Sequence, residues 1–306
     1  MKVLLATQKP FAPQAVKGIS KIVLQSGHTI EVLEKYESEA ELAQALKGVQ
    51  ALIVRSDKVG AQTIAQADDL KIIVRAGAGY DNIDLEAATK AGVVVMNTPG
   101  QNANAVAELA IGLMIYMARN QFNLSTGGEI AGKTLGIQGF GNVGSLVAAK
   151  ALALGMKVRA FDPVKSDEDM LVRGVEPTSS VKTLYADCDY ISLNLPLVTV
   201  TERSVGYDLL SAMPKGGVLI NTARKEIVDE SGLERALEER SDIKYASDVA
   251  PDNYAALREK FGLRVYANSK KMGAQTAEAN LNAGLAAARQ IVDYFETGNV
   301  KFQVNK

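Results

Sequence analysis

The stretch TLGIQGFGNVG, residues 134–144, decides the fold of the second half of the chain. Its first five residues form a mostly apolar run that predicts a buried strand. Gly139, Gly141 and Gly144 follow in the spacing G-x-G-x-x-G, and residues 143–154 have the pattern of an amphipathic helix. A strand, a glycine loop and a helix in this order are typical of dinucleotide-binding units, in which the helix N-terminus binds the pyrophosphate.

An acidic residue completes this pattern. The next predicted strand, 157–161, is followed directly by Asp162, 18 residues beyond Gly144. A carboxylate in this place accepts hydrogen bonds from the adenine ribose and repels the 2′-phosphate of NADP. The sequence therefore predicts NAD as the cofactor, bound by Asp162 and by the loop residues Gly139, Gly141, Asn142, Val143 and Gly144.

Short β-rich apolar runs alternate with helical stretches along the rest of the chain. Runs that are apolar throughout predict strands covered on both faces, as in parallel sheets. The predicted strands are 3–6, 29–33, 51–54, 72–74, 93–96, 134–137, 157–161, 190–193, 218–221, 245–247 and 264–266. The predicted helices are 13–25, 39–46, 85–91, 104–119, 143–154, 231–240 and 274–295.

This alternation predicts an α/β protein with two doubly wound parallel-sheet domains. The helices 104–119 and 274–295 have no strand close by on one side, so we expect them to cross between domains. The last stretch of chain then returns to the first domain. We predict a flavodoxin-like domain at 1–98 plus 278–306 and a Rossmann domain at 99–277.

Composition excludes several classes of function. Among 306 residues, 34 Lys and Arg balance 35 Asp and Glu, which gives no electrostatic footprint for nucleic acid or an anionic membrane. The apolar runs are too short to span a bilayer. With Cys188 and His28 as the single residues of their kinds, zinc sites built on several of them and intrachain disulfides are excluded, and no metal is predicted. We expect a cytoplasmic protein, a core position for Cys188 and a solvated turn for His28.

Several stretches resemble signatures of the D-2-hydroxyacid dehydrogenase family, in family order. They are VRS at 54–56, RAGAGYDNID at 75–84, VMNTP at 95–99, GKTLGIQGFG at 132–141, NTAR at 221–224 and IVD at 227–229. The resemblance covers nearly the whole chain and is strongest to short D-3-phosphoglycerate dehydrogenases. It implies that a cytoplasmic homodimer oxidises D-3-phosphoglycerate to 3-phosphohydroxypyruvate with NAD, the first step of phosphorylated serine biosynthesis, in a cleft between substrate and cofactor domains.

The resemblance also implies roles for individual residues. Arg224 would be a catalytic residue that pairs with the substrate carboxylate and polarises the reacting oxygen, a task suited to a planar guanidinium. Asp248 would bind the nicotinamide carboxamide. The remaining cofactor residues would be Thr222, Ala223, Gly273 and Ala274. The substrate residues would be Gly77, Ala78 and Gly79 at the carboxylate, with Arg55, Ser56 and Asn102.

The family's catalytic pair is replaced in this chain. The segment that resembles T-P-H-x-G-A reads SKKMGA at 269–274, which places Lys271 at the histidine position. Five residues beyond Asp248, where the family has glutamate, stands Asn253, beside Asp252. Either the enzyme is inactive, or Lys271 replaces the pair as the acid–base, with Asp252 the next candidate. The second reading is favoured, because losing a carboxylate while Lys270 and Arg224 stay nearby makes a lysine easier to deprotonate.

The substrate is the other open question. The connection between Arg119 and Lys133 is shorter than in larger members of the family, whose arm supplies basic residues to the neighbouring subunit. A phosphate group would then depend on Arg55, Lys58 or Arg75. The alternatives are a glyoxylate or hydroxypyruvate reductase and, from another class, a catalytically degenerate protein that senses NADH. The retained Arg224 argues against a pure sensor, which needs no carboxylate clamp.

Overall fold

The chain forms two compact units. The computed structural model describes residues 1–305. Unit 1 contains Met1–Asn102 and the chain from Gln275 onward, and unit 2 contains Ala103–Ala274. The predicted domain boundaries differ from these by at most four residues. Each long helix that was expected to cross between domains lies within one unit and begins just after the chain has passed into that unit.

Unit 1 is a five-stranded sheet flanked by helices. Its strands are β1 (Lys2–Thr7), β2 (Thr29–Glu34), β3 (Ala51–Val54), β4 (Ile72–Arg75) and β5 (Val94–Asn97). Its helices are α1 (Pro13–Gln25), α2 (Glu39–Ala45), α3 (Ala61–Ala65), α4 (Leu85–Lys90) and, from the end of the chain, α12 (Ala277–Thr297). All neighbouring strands are parallel, in the order β2-β1-β3-β4-β5, which is the flavodoxin-like order.

The core of unit 1 lies on both faces of this sheet. Leu4 and Ala6 of β1 pack into the cluster on one face, and Val3 and Leu5 pack into the cluster on the other. Every residue of β3 is buried, whereas no residue of the edge strand β2 is fully buried. Such burial on both faces accounts for apolar runs that do not alternate with polar residues.

The end of the chain closes the outer edge of β5. The Asn305 side chain accepts a hydrogen bond from Val95 N at 2.7 Å and donates one to Val93 O at 2.8 Å. Val304 N donates to Val95 O at 2.8 Å. The buried Asn305 amide thus pairs with backbone groups that an edge strand leaves without partners.

Unit 2 is a seven-stranded parallel sheet. Its strands are β6 (Thr134–Gln138), β7 (Lys157–Phe161), β8 (Glu176–Pro177), β9 (Tyr190–Leu193), β10 (Val218–Asn221), β11 (Lys244–Ser247) and β12 (Val265–Ala267). Its helices are α5 (Ala103–Ala118), α6 (Asn142–Ala153), α7 (Asp167–Leu171), α8 (Val181–Asp187), α9 (Tyr207–Ser211), α10 (Glu230–Glu239) and α11 (Tyr254–Phe261). The order β12-β11-β10-β9-β6-β7-β8 reverses direction between β6 and β9, as in Rossmann sheets.

The doubly wound α/β fold was predicted correctly, and each predicted strand agrees with the structure within one residue. The prediction missed β8, which has two residues including a proline, and the short helices α3, α7, α8, α9 and α11. Helix α12 begins at Ala277 rather than Ala274, because the Thr276 hydroxyl caps it by accepting a hydrogen bond from Ala279 N.

The two single residues have different surroundings. Cys188 is fully buried, as expected, and burial raises the pKa of its thiol to about 12. His28 is half-buried just after the turn, and only part of its ring can be solvated, because the ring packs edge-on against Phe295 at 6.0 Å and its Nε2 atom is buried. Across residues 1–305, every helix is too short or too polar to cross a membrane.

One arginine joins the ends of two helices in unit 2. The Arg240 guanidinium donates to both carboxylate oxygens of Asp242, at 2.9 and 2.7 Å. It also donates to three backbone carbonyl groups, those of Ser211, Met213 and Pro214. A planar group with five donors suits this position, where lysine could not satisfy the same acceptors.

We expect Arg240→Met to lower the free energy of unfolding by roughly 2–4 kcal/mol, because three carbonyls and a carboxylate lose their donor. Urea unfolding measures the change. The control is Lys90→Met, which removes an exposed ion pair with Glu86 and costs about 0.5 kcal/mol.

The Arg240 contact also has a pH signature. Hydrogen bonds from Arg240 hold the pKa of Asp242 well below its ordinary range. Its stabilisation is therefore complete above the unfolded pKa of about 4 and is lost as the pH falls below it. In Arg240→Met, the free energy of unfolding should depend less on pH below about pH 4. Equal losses of unfolding free energy in the Arg240 and Lys90 variants would contradict the stabilising role of Arg240.

Candidate functional site

The glycine loop joins β6 to α6 where the strand order reverses. A Cβ atom on Gly144 would lie 2.0 Å from the Gly139 carbonyl oxygen, so only glycine lets α6 approach β6 this closely. A Cβ atom on Gly141 would meet no atom within 4 Å, so the loop faces open space there. Helix α6 begins at Asn142 without a side-chain cap, which leaves the N–H groups of its first turn for an anion.

Asp162 braces this loop. Its Oδ2 atom accepts a hydrogen bond from Phe140 N at 2.7 Å, and its Oδ1 atom accepts from Val164 N at 2.8 Å and Lys165 N at 3.3 Å. A carboxylate has about four lone-pair sites, so capacity remains for a ribose hydroxyl, the partner that the sequence predicts. The structure therefore adds a local structural role to the predicted binding role.

Two buried polar atoms at the carboxyl edge of the unit 2 sheet have no hydrogen-bond partner within the described residues. They are Asn194 Oδ1, just beyond β9, and Thr222 Oγ1, just beyond β10. Buried polar atoms are nearly always paired, so both indicate a place for a polar ligand at the carboxyl edge of the sheet. Together with the open glycine loop and the uncapped helix, they fit a bound dinucleotide.

The NTAR turn is built around Asn221, which is 1% exposed. Its Nδ2 atom donates to Arg224 O at 2.8 Å, and its Oδ1 atom accepts from Ala223 N at 3.0 Å. Arg224 donates from Nη1 to Ala223 O at 2.9 Å and has no acidic partner within residues 1–305. Most of its five N–H donors thus remain for a carboxylate ligand.

Asp252, the second acid–base candidate, is engaged elsewhere. Its carboxylate pairs with Lys225, and this hydrogen bond raises the pKa of the lysine. Glu230 holds the same turn by accepting hydrogen bonds from Asp252 N and Asn253 N. The ion pair leaves Asp252 poorly suited to act as a base.

Asp248 anchors the segment that carries Lys271. The carboxylate is fully buried and accepts hydrogen bonds from Met272 N at 2.7 Å, Gly273 N at 2.9 Å and Asn268 Nδ2 at 3.1 Å. Lys271 itself is exposed. These contacts fix the backbone just after the lysine, while the predicted contact between Asp248 and nicotinamide stays a prediction.

In unit 1, Arg55 lies at the carboxyl end of β3. Its Nη2 atom donates to Gln275 Oε1 at 3.1 Å, and its guanidinium lies 5.8 Å from the centre of the Phe11 ring. Burial lowers the pKa of this guanidinium, while the nearby Asp57 partly opposes the effect. Ser56 is exposed beside it. The predicted residues for the far end of the substrate thus share one sheet edge.

Asp57 fixes the backbone around Arg55. Its carboxylate is buried and accepts hydrogen bonds from Gln8 N at 2.6 Å, Tyr36 Oη at 2.9 Å and Arg55 N at 3.2 Å. Burial, together with the carboxylate, raises the pKa of the Tyr36 phenol. The carboxylate therefore joins the loops that follow β1 and β3, at the point where the strand order of unit 1 reverses.

The predicted carboxylate loop, residues 77–79, follows β4. A Cβ atom on Gly77 would lie 1.4 Å from Arg75 Nη1, so the absence of a side chain lets the guanidinium pack against the loop. Thr98 N donates to Gly77 O at 2.9 Å, and Asn97 Nδ2 donates to Ala78 O at 2.6 Å. The loop is thus tied to the end of β5.

The remaining candidates are less closely placed. Lys58 Nζ lies 3.5 Å from Glu39 Oε1, and the lysine side chain is 78% exposed. Asn102 is half-buried at the end of the first segment of unit 1. Val143 and Ala274 are half-buried and Gly273 is buried in unit 2. Within the part of the chain that the structure describes, no three His, Cys, Asp or Glu residues are grouped to hold a metal ion.

Sequence reasoning missed several polar residues at these edges. Asn97 and Thr98 belong to the VMNTP motif but received no role, and Asn194 was not singled out. A polar residue that directly follows a buried strand was the signal available for each of them. The hydrogen bonds that Asp57, Asp162 and Asp248 make to backbone N–H groups had no signal in a single sequence.

Comparison with known proteins identifies the family. Residues 4–305 match the D-isomer specific 2-hydroxyacid dehydrogenase catalytic domain. The chain is 36% identical over 288 residues to a hydroxypyruvate reductase of Thermotoga maritima, covering 88% of this chain and 92% of that protein. It is 35% identical to a D-3-phosphoglycerate dehydrogenase of Methanocaldococcus jannaschii, covering 88% of this chain but only 54% of that longer protein.

A solved structure agrees over the full length. The crystal structure of NAD+-bound 3-phosphoglycerate dehydrogenase from Entamoeba histolytica has a TM-score of 0.88 and 47% identity, covering 100% of this chain and 99% of that chain. The family resemblance and the doubly wound fold predicted from the sequence are therefore confirmed. The chain belongs to the D-isomer specific 2-hydroxyacid dehydrogenase family.

Proposed function

We propose that this chain is an NAD-dependent dehydrogenase that oxidises D-3-phosphoglycerate to 3-phosphohydroxypyruvate. The observation that carries the proposal is the full-length similarity, at 47% identity, to a 3-phosphoglycerate dehydrogenase with NAD+ bound. The product of this reaction is the precursor of serine in the phosphorylated pathway, so serine biosynthesis is the proposed role. The chain spans about half the length of several curated dehydrogenases of this name. The proposal therefore concerns only the oxidation reaction.

The cofactor residues lie in unit 2. The glycine loop and the N-terminus of α6 bind the pyrophosphate, and Asp162 accepts hydrogen bonds from the adenine ribose. Thr222 and Asn194 supply the buried oxygen atoms that have no other partner among the described residues. When bound, NAD accepts the hydride that leaves the substrate carbon.

The substrate residues hold two ends of a small acid. Arg224 pairs with the carboxylate and with the reacting oxygen, where its charge stabilises the developing carbonyl group. The amides of residues 77–79 bind the same carboxylate. Arg55, Lys58 or Arg75 supplies positive charge for the phosphate, and Lys58 also lies 3.5 Å from Glu39.

Lys271 is the proposed acid–base. Oxidation of a hydroxy acid requires a proton to leave the hydroxyl group as the hydride leaves the carbon. A neutral Lys271 Nζ accepts this proton, and the ammonium form returns it in the reverse reaction. His28 packs against Phe295 in unit 1 and Asp252 is paired with Lys225, and both observations support the choice of Lys271 over these two residues.

Hydroxypyruvate reduction is the second candidate function. It is favoured by the relative from Thermotoga maritima, 92% of whose length is matched. A panel of D-3-phosphoglycerate, D-glycerate and glycolate in the oxidative direction, with phosphohydroxypyruvate, hydroxypyruvate and glyoxylate in the reductive direction, separates the two. Higher kcat/KM for the phosphorylated pair supports the proposal. NADH binding without turnover of any of these compounds would support the sensor.

The proposal includes a cytoplasmic homodimer built through unit 2. Phe122 is 61% exposed and Leu124 is fully exposed in the segment that follows α5, which supports a contact surface there. Light scattering at micromolar protein concentration tests the assembly, since a mass near 32.6 kDa would contradict it.

The first prediction concerns the cofactor. The wild type should prefer NAD to NADP, because the Asp162 carboxylate would meet the extra phosphate. In Asp162→Ala, kcat/KM for NAD should fall about tenfold or more, because hydrogen bonds to the ribose and the glycine loop are lost. The ratio of kcat/KM for NAD to that for NADP should decrease. Glu168→Ala, an exposed acid on α7, is the control. Equal kcat/KM values for both cofactors in the wild type would refute the role of Asp162.

The second prediction concerns Arg224. Arg224→Lys should lower kcat/KM for D-3-phosphoglycerate about 10²–10³-fold, because an ammonium group cannot pair with the carboxylate and the reacting oxygen together. Fluorescence titration should find NADH affinity nearly unchanged. Lys225→Met, which removes the neighbouring charge and its pair with Asp252, should have a smaller effect. A lysine variant with near wild-type kcat/KM would exclude the clamp.

The third prediction concerns Lys271. Oxidation should rise with pH through one ionisation, because only the neutral amine accepts a proton, and reduction should be faster at lower pH. Lys271→Ala and Lys271→Met should lose about 10²–10⁴ in rate, the usual contribution of a positioned acid–base.

The matched control for Lys271 is the adjacent residue. Lys270→Ala removes a lysine that is also exposed and should cost far less, and His28→Ala should leave the rate unchanged. Steady-state rates measured from pH 6 to 10 make the comparison. An active Lys271→Ala enzyme with an unaltered pH profile would exclude the lysine mechanism.

A further inference from the structure

The loop of residues 77–79 is held by the Gly77 N–H, which donates to Arg75 O at 2.8 Å, and by two of its carbonyl oxygens. Thr98 N donates to Gly77 O at 2.9 Å, and the Asn97 side chain donates from Nδ2 to Ala78 O at 2.6 Å. Both donors belong to the end of β5, so one strand end fixes two consecutive peptide groups of the loop.

The direction of the loop amides follows from peptide geometry. In a planar trans peptide, the C=O bond of one residue and the N–H bond of the next point in opposite directions. With Gly77 O and Ala78 O turned toward β5, the N–H groups of Ala78 and Gly79 are turned away from it. Neither N–H group has a hydrogen-bond partner within residues 1–305. Two adjacent N–H groups with a common direction suit one carboxylate.

The Asn97 side chain is itself held in place. Asn97 is buried, its carbonyl oxygen accepts a hydrogen bond from Gln290 Nε2 of α12 at 3.0 Å, and its N–H donates to Phe302 O at 3.4 Å. The backbone of Asn97 is thus fixed from the last helix and the end of the chain. Its amide group has little freedom to follow a displaced loop.

We propose that Asn97 is a positioning residue, whose side-chain amide aims the Gly79 N–H, and with it the neighbouring Ala78 N–H, at the substrate carboxylate. This inference rests on the proposed function, since it assigns a residue that serves the substrate site of that reaction. Asn97 touches neither substrate nor cofactor in this role. It acts through the Ala78 carbonyl oxygen.

The test compares two substitutions of Asn97 with one control substitution. Asn97→Asp places a carboxylate oxygen against Ala78 O, and Asn97→Ala removes the donor without adding charge. The control is Asn305→Asp, because the Asn305 amide also donates to a backbone carbonyl of the β5 region, Val93 O at 2.8 Å, away from the loop.

The Asn97 variants should raise KM for D-3-phosphoglycerate about tenfold, with kcat changed less than about threefold, because carboxylate binding is similar before and during hydride transfer. NADH affinity should be unchanged. Asn305→Asp should lower thermal stability as Asn97→Asp does, yet keep the wild-type KM. A purely structural role for Asn97 would instead reduce the active fraction, and so kcat, at constant KM.

A second readout does not depend on turnover. Hydrogen–deuterium exchange of the peptide that contains residues 76–80 should slow in the wild type when D-3-phosphoglycerate binds with NADH, and this protection should be lost in Asn97→Ala. If the wild type is active and protected while both Asn97 variants keep KM and protection, the role of Asn97 is wrong and the proposed function stands. A wild type with neither turnover nor protection would overturn the proposed function itself.

Discussion

Parallel strands end in loops whose N–H groups have no partner in the sheet, and this constraint organises the candidate site in both units. Three carboxylates close to strand ends supply the missing acceptors. Asp57 accepts from Gln8 N and Arg55 N beyond β1 and β3, Asp162 accepts from the glycine loop, and Asp248 accepts from the segment around Gly273. Hydrogen bonds from several backbone N–H groups stabilise a carboxylate without any cation.

Arg224 is not paired with any of these three carboxylates. Arg224 donates to a backbone carbonyl and has no acidic partner among the described residues. The contrast is Lys225, the next residue, whose charge is paired with Asp252 on the surface of the same unit. A site for a doubly or triply charged acid needs uncompensated positive charge, because desolvation of the substrate must be repaid by direct pairing. Arg224 has such a charge in unit 2, and the proposed function uses it to pair with the substrate carboxylate.

The sequence predicted those features that depend on local pattern. Buried parallel strands are apolar throughout, so every strand except the two-residue β8 could be predicted from the pattern of apolar runs, and the glycine loop was predicted from its spacing and context. Features that depend on contacts between distant segments could not be read. Examples are the hydrogen bond from Asn97 to Ala78 and the hydrogen bonds that Asp248 accepts from the 272–273 backbone. They join residues 19 to 25 positions apart, and no residue type in the sequence predicts them. The contact between His28 and Phe295 could not be predicted for the same reason, since Phe295 lies near the other end of the chain.

In the proposed mechanism the acid–base is Lys271 rather than a histidine, and these two side chains need different support from the scaffold. A histidine has two side-chain torsions, and a carboxylate partner fixes both the ring and its tautomer. Lysine has a flexible four-carbon stem, and a carboxylate in contact with it would stabilise the ammonium form and oppose its action as a base. In the proposed mechanism, the position of the lysine must therefore be fixed through its backbone. Asp248 holds that backbone by accepting hydrogen bonds from Met272 N and Gly273 N. In this proposal, Asn253 in place of an acid and the anchored loop act together, since the main chain then sets the position of the Lys271 amine.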